Sequence, residues 1–294
     1  MISNSSGDVP GPILVLGATG TTGRRVTARL RRRGFAVRPG SRAADPAFDW
    51  SDERTWQPVL NGVSAAYIAY YPDITAPGAF DAITRFAHTA VANGVERLVL
   101  ISGRGEPESE AVEKGVIAAS SQTTVVRCAF FAQDFSEKGF GFEEMIRFGA
   151  VALPAPEVGE AFVDAEDIAD VVAEALADPR HAGKLYELTG PRLLTFRQAI
   201  AEIASATGRH IDYQQITPEQ FVTGLLEQGV PEEGAAVFAS IFETTLDGRN
   251  AHLADGVEQA LGRPPRDFAD FARDAAASGV WDLPHAGKLG ASGV

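Results

Sequence analysis

Three glycines, Gly17, Gly20 and Gly23, stand at intervals of three directly after the apolar run ILVL (13–16) and directly before the basic run RRVTARLRRR (24–33). A buried strand that turns through glycines into a helix makes a cradle for phosphate. The first N–H groups of a helix lack partners, and its dipole favours an anion there. Gly17 would allow the tight turn, Gly20 would let a pyrophosphate approach the backbone, and Gly23 would let the helix pack closely on the strand. The plainer alternative is a glycine-rich turn that binds nothing. The spacing is G-x-x-G-x-x-G rather than G-x-G-x-x-G, but the strand before it and the helix after it favour the cradle.

Which dinucleotide fits is read about 20 positions further on, where an acidic residue commonly bonds the ribose 2′-hydroxyl of NAD. The chain reads FAVRPGSRAADP there (35–46), with no Asp or Glu between Gly23 and Asp45. Arg38, Ser41 and Arg42 stand in that place instead, and an arginine fork suits a 2′-phosphate better than a hydroxyl. NADP(H) is therefore the expected cofactor. An ordinary solvated arginine is the alternative, and it weighs more for Arg38 than for Arg42.

The elements that must carry this site follow from the hydrophobic pattern. Short apolar runs at 13–16, 35–38, 65–70, 97–102 and 123–128 alternate with helical patterns, one ending at Gly34 and a long one from Thr75 to Asn93. Such alternation predicts βαβ units and a doubly wound (Rossmann) parallel sheet, an α/β fold. After about residue 150 the texture changes. A helix is expected over 166–178, a returning strand over 184–190, a helix over 195–208, and helical patterns from Pro218 to Ala277 broken at Gly229–Pro231, Gly248 and Pro264–Pro265. The expected organisation is a disordered lead-in (1–11), an NADP-binding domain (12–150, plus the returning strand), a smaller, mostly helical substrate lobe (151–283) and a flexible tail (284–294).

With 294 residues, 45% of them hydrophobic, the chain can bury a large core. A formal net charge of −13 opposes binding to nucleic acid or an anionic membrane. Cys128 is the only cysteine, which excludes a disulfide framework and suits a reducing compartment. No apolar run approaches a membrane span and no signal-peptide pattern opens the chain, so a cytoplasmic location is expected. The five histidines show no metal-ligand spacing, so no metal is expected. Asp164 and Asp167, at the start of an apolar helix, read as a cap and as favourable charges on the helix dipole rather than a catalytic pair.

Six segments occur in order: LGATGTTGRRV, GVERLVLISG, TTVVRCAFFAQDF, FVDAEDIADVVAEAL, YELTGP and LGRPPRDFADFARD. Together they resemble the NmrA-like group of atypical short-chain dehydrogenase/reductases, especially the branch of NAD(P)H:quinone oxidoreductases and azoreductase-like proteins. The resemblance covers roughly residues 12–280. It implies that Gly17, Ala18, Thr19, Gly20, Thr21, Thr22 and Gly23 surround the pyrophosphate and that Arg42, with Ser41, faces the 2′-phosphate. Asp49 and Trp50, after a third strand, would pass the adenine. Ala69 and Tyr70, ending a fourth, would border the adenosine ribose or the nicotinamide side. Ser102 and Gly103, ending a fifth, would lie beside the nicotinamide. Phe130, Phe131 and Gln133 would line the substrate pocket, in a segment where Cys128, Ala129 and Asp134 replace the family's usual residues.

The catalytic pattern departs from the family's wider kin. Short-chain reductases commonly use Tyr-x-x-x-Lys, the tyrosine giving a proton to the carbonyl oxygen. No tyrosine lies between Ile101 and Thr124, where that motif would fall. The position of the lone lysine in some relatives corresponds to Ser109 or Glu110. Lys114 sits on the same expected helix and reads as a solvated residue. Tyr70, Ser102 and Lys114 are the remaining candidates, and none has a clear claim. The expected activity is hydride transfer from NADPH to a small aromatic, quinone or enone-like acceptor, since hydroquinone oxygens can take protons from water. Two alternatives stand beside it: an NADP(H)-binding redox sensor without turnover, and a tailoring reductase of a polycyclic natural-product pathway. A homodimer is compatible with this reading.

Overall fold

A computed structural model describes residues 11–283. The lead-in (save Gly11), the tail from 284 and His285 lie outside the described residues. The first half runs β1 (Ile13–Leu16), α1 (Thr21–Arg32), β2 (Val37–Gly40), α2 (Trp56–Leu60), β3 (Ala65–Ile68), α3 (Ala79–Ala92), β4 (Arg97–Gly103), α4 (Pro107–Ala119) and β5 (Thr124–Cys128). Then follow α5 (Phe142–Phe148), β6 (Ala150–Leu153), α6 (Ala165–Ala177), β7 (Leu185–Leu188), α7 (Phe196–Thr207) and β8 (Asp212–Gln215). The chain continues through α8 (Pro218–Glu227), α9 (Glu232–Thr245), α10 (Gly256–Leu261) and α11 (Phe268–Ala277).

Six strands form one parallel sheet in the order β2-β1-β3-β4-β5-β7. Its central strands are buried on both faces, which is why they read as continuous apolar runs. α1 and α6 pack on one face and α2, α3 and α4 on the other, so the sheet is doubly wound. The order reverses between β1 and β3, and such a switch point opens a crevice at the carboxyl ends of the strands.

Several boundaries move. β2 begins at Val37 rather than Phe35, because Phe35 and Ala36 close the turn out of α1: Phe35 N–H donates to Leu30 at 3.0 Å. α3 begins at Ala79 rather than Thr75, since the Asp73 carboxylate takes the Thr75 N–H at 2.8 Å and holds a turn there. No strand lies between β2 and β3. Asp49 and Trp50 therefore stand in the loop after the second strand, Ala69 and Tyr70 follow the third, and Ser102 and Gly103 end the fourth. The Asp- and Pro-rich stretch AADPAFDWSDERT favours turns over an edge strand.

The carboxyl-terminal lobe also holds a pair that the pattern did not announce: β6 and β8 form a two-stranded parallel sheet. β8 is mostly exposed and polar, so it lacks an apolar alternation. The lobe's core is aromatic. Phe196 is fully buried, with the rings of Phe130, Phe135, Phe162 and Phe242 centred 5.0–5.7 Å away. Replacing Phe196 by Ala should cost about 3–5 kcal/mol, read as a lower urea midpoint with an unchanged denaturant slope.

Candidate functional site

The turn out of β1 has the geometry the glycines suggested. Gly17 takes φ +64°, a conformation that side chains resist. Gly23 lies so close to the Gly17 carbonyl that an added Cβ would collide with it. Gly20 caps α1 with extended backbone, and no side chain bonds the first N–H groups of the helix. Those donors remain bare at the cleft.

That cleft, about 870 Å³, runs along the carboxyl ends of β1 to β5. Gly17, Thr19, Gly20, Thr21 and Thr22 line it from the first turn, and Ser41, Arg42, Asp49 and Trp50 from the loop after β2. Ala69, Tyr70, Ser102, Gly103, Phe130 and Phe131 complete the expected set along the same wall. Ala18 and Gly23 are not among the lining residues; Gly23 instead sets the approach of α1. Trp50 and Tyr70 pack together at 4.9 Å, making an aromatic wall on the side of β3.

The two arginines separate. Arg38 donates to the carbonyls of Val59 at 2.8 Å and Asn61 at 2.7 Å, so it ties α2 to the sheet. Arg42 is exposed in the cleft and has no hydrogen-bond or ion-pair partner among the described residues. Asp49 beside it is held below the usual carboxylate range, chiefly by hydrogen bonds from Ser51, with Arg42 adding to the effect.

The proton-donor candidates fare differently. The Ser102 hydroxyl donates to the Glu113 carboxylate at 2.6 Å, and Glu113 is paired with Arg127 at 2.5 Å. Its hydrogen is thus engaged inside the protein. Lys114 is 79% exposed on α4, outside the cleft, and reaches only Glu110 at 4.0 Å. Tyr70 remains in the cleft. Gln133 does not line it: its amide donates to Asp164 at 2.8 Å and accepts from the Ala165 N–H at 2.6 Å, which fixes the start of α6. Asp164 caps that helix through the Glu166 N–H at 2.7 Å. Asp167 is fully buried and pairs with Arg263 at 2.7 Å and with Arg266, a stronger constraint than a dipole contact.

The basic run of α1 serves packing. Arg25 and Arg33 meet Glu166 at 2.6 Å and Glu174 at 2.5 Å, while Arg29 meets both Glu166 and Asp170. Arginines four apart on α1 face acids four apart on α6, which clamps the two helices side by side. Glu137, after β5, takes Thr21 at 2.7 Å and Arg25 at 2.8 Å, tying that loop to the glycine turn. The lone thiol, Cys128, lines the cleft, but burial pushes its pKa up and leaves it inert.

One trio, Glu174, Asp178 and His181, brings potential ligand atoms within 4.8 Å of one another. Each has a protein partner: Glu174 pairs with Arg33, Asp178 with Arg180, and His181 Nδ1 with the Tyr186 hydroxyl. No described helix is long and apolar enough to cross a membrane.

Five charged cleft residues escaped the sequence reading as site residues: Asp73, Arg104, Glu106, Asp134 and Lys138. Arg104 is held by Glu187 at 2.8 Å and by the carbonyls of Asn250 and His252, also at 2.8 Å, so it fastens the loop before α10 to the sheet. Burial pushes Glu106 and Asp134 up to about 7. Glu160, behind the Phe130 wall, is likewise pushed up to about 7 by burial, and its Oε2 has no hydrogen-bond partner among the described residues. The only signal in the sequence was the position of Asp134 in a segment that departs from the family's pattern.

A profile of the NmrA-like family matches residues 109–271. Agroclavine dehydrogenase of Claviceps fusiformis is 30% identical over 284 residues, covering 89% of this chain and 96% of that protein. The NAD(P)H azoreductase of Xenophilus azovorans is 29% identical over 287 residues, covering 90% and 98%. Among solved structures, an NADPH-dependent quinone oxidoreductase of Escherichia coli complexed with NADPH superposes with a TM-score of 0.74 at 20% identity, covering 89% of this chain and 99% of that one.

The buried Glu160 carboxyl yields a test with a defined sign. In the fold it keeps its proton up to about 7, whereas the unfolded chain releases it near the ordinary 4.5. The resulting stabilisation is full below 4.5 and lost as pH rises through 7. Glu160→Gln should therefore be more stable than wild type at pH 8, on the order of 2 kcal/mol, with the gain fading toward pH 4. Urea unfolding at the two pH values measures it.

Proposed function

Because the chain belongs to the NmrA-like family, we propose that it is an NADPH-dependent reductase that passes a hydride to a small aromatic, quinone or enone-like acceptor. One observation carries this reading. The uncapped first turn of α1 and the unpartnered Arg42 open on the same cleft, at the distance along the chain where a dinucleotide's pyrophosphate and 2′-phosphate are bound. The relatives named as azoreductase and dehydrogenase support a reductase, and the neighbour solved with NADPH has the same fold.

The residues present fit such a cofactor. Bare N–H groups at Thr21 and Thr22 would hold the pyrophosphate, and Arg42 with Ser41 would hold the 2′-phosphate. Trp50 and Tyr70 would flank the adenosine half. When bound, the reduced nicotinamide supplies the hydride. Phe130, Phe131, Phe140 and Ile241 would exclude water and hold a flat acceptor in place, which is how positioning contributes most to such a transfer.

Arg42→Ala should weaken NADPH binding by about 1.5–3 kcal/mol and leave NADH unchanged, as titration calorimetry can measure. Equal affinity of the wild type for the two cofactors would sink the assignment. NADPH consumption with a panel of quinones tests turnover, and binding without consumption would favour a sensor. Tyr70→Phe, Ser102→Ala and Lys114→Ala should each reduce quinone turnover by far less than the roughly 10²–10⁴ of a general acid.

A further inference from the structure

We propose that Glu106 is the proton donor to the acceptor, an inference that rests on the reductase reading above. Glu106 lines the cleft at the end of β4, between the strand and α4, and is 8% exposed. Its carboxyl occupies the space that a side chain at Gly103 would fill, so it lies directly on the strand end beside Ser102 and Gly103. Glycine at 103 is what lets it in.

The surroundings of the carboxyl decide its state. One hydrogen bond reaches it, from the Ser109 hydroxyl to Oε2 at 2.6 Å. No cation pairs with it among the described residues. Arg104, next but one in sequence, is turned to Glu187 and to the carbonyls of Asn250 and His252. Arg249, over Gly105, is taken by Asp247 at 2.6 Å. The charges that do face it are Asp73, from the loop after β3, and Glu108, on its own helix, and both are negative. Burial first, then these acids, keep Glu106 protonated to about 7, against the Ser109 bond, which favours the carboxylate. Oε1 has no protein partner among the described residues, so its oxygen can turn to the cleft.

The alternatives in the cleft are weaker. Ser102 gives its hydrogen to Glu113. Asp134, the other protonated carboxyl, accepts from the Phe131 N–H at 3.3 Å and braces the turn after β5. With Glu106 as acid the step balances. The acceptor gains a hydride at carbon or nitrogen from the reduced nicotinamide, and the displaced electron pair on its heteroatom takes the Glu106 proton. The nicotinamide is oxidised by two electrons, the acceptor is reduced by two, and the carboxylate regains a proton from water.

The test uses the full chain with NADPH, one quinone and one enone or ketone, and the variants E106Q and S109A. E106Q keeps the shape and the bond from Ser109 but cannot give an acid proton. Its enone or ketone kcat should fall by about 10²-fold or more, its NADPH affinity by fluorescence titration should stay unchanged, and the basic limb near pH 7 should vanish. In S109A the carboxylate loses its one hydrogen bond, so the limb should move to higher pH. Carbon-13 carboxyl spectra of glutamate-labelled protein, assigned by the signal missing in E106Q, should contain a Glu106 titration near 7. An E106Q enzyme with at least a third of the wild-type kcat and the wild-type pH profile overturns the proposal while leaving the reductase reading intact. If E106Q does not fold, an unmoved limb in S109A overturns it. A wild type that consumes NADPH with no acceptor removes the reductase reading and this inference together.

Discussion

The closeness of Gly23 to the Gly17 carbonyl is the constraint from which the rest of the site is built. A single methyl there would push α1 away from β1 and close the bare N–H turn. Because α1 sits so near, its arginines reach the acids of α6 along two turns. α6 is in turn started by Asp164, and Asp164 is held by Gln133. Gln133 belongs to the turn that carries Phe130 and Phe131, so the glycine contact is linked through the arginines, the acids, Asp164 and Gln133 to the aromatic wall of the cleft. Partly buried ion pairs contribute little net stability, but unlike apolar contacts they fix one register of helix against helix.

A second chain of charges organises the other side. Ser102 bonds Glu113, Glu113 pairs with Arg127, and Arg127 lies 3.8 Å from Glu187, which also holds Arg104. Removing one member would leave a buried charge unpaired, which costs far more than the pair contributes. The network pins the end of β4 and the loop before α10 to the same strands. It also engages Arg104 and Arg127, so neither offsets the burial that, with Asp73 and Glu108, pushes Glu106 up to about 7.

Much of this was legible in the sequence because backbone rules leave local marks. The glycine spacing, the missing acid before Asp45 and the apolar runs of β1, β3, β4 and β5 each report a short-range requirement. Arg38 and Arg42 were four residues apart and alike in type, and the sequence favoured Arg42 without showing that the carbonyls at the end of α2 hold Arg38. Glu106 and Asp134 could not be found, because a carboxylate reads as solvated until its neighbours are known. Gln133 was misread for the same reason: its amide partners are some 30 positions away. β8 was missed because an exposed polar strand has no periodicity to detect.

The cleft's two halves differ in what they can discriminate. The cofactor half has directional donors, and a site built from directional donors rejects a ligand lacking the matching group strongly. The half proposed to take the acceptor is walled by Phe130, Phe131, Phe140 and Ile241, with Lys138 exposed at the rim. Apolar walls separate ligands weakly, about 1–3 kcal/mol per methylene. On the proposed reading, shape and planarity would then select the acceptor, and many flat molecules satisfy both. A single carboxylic acid at the strand end would add one chemical requirement to that loose sieve: a heteroatom within reach that becomes basic on reduction. On the proposed reading, cofactor choice would rest on hydrogen bonding, and acceptor choice on an apolar wall and the placement of one proton.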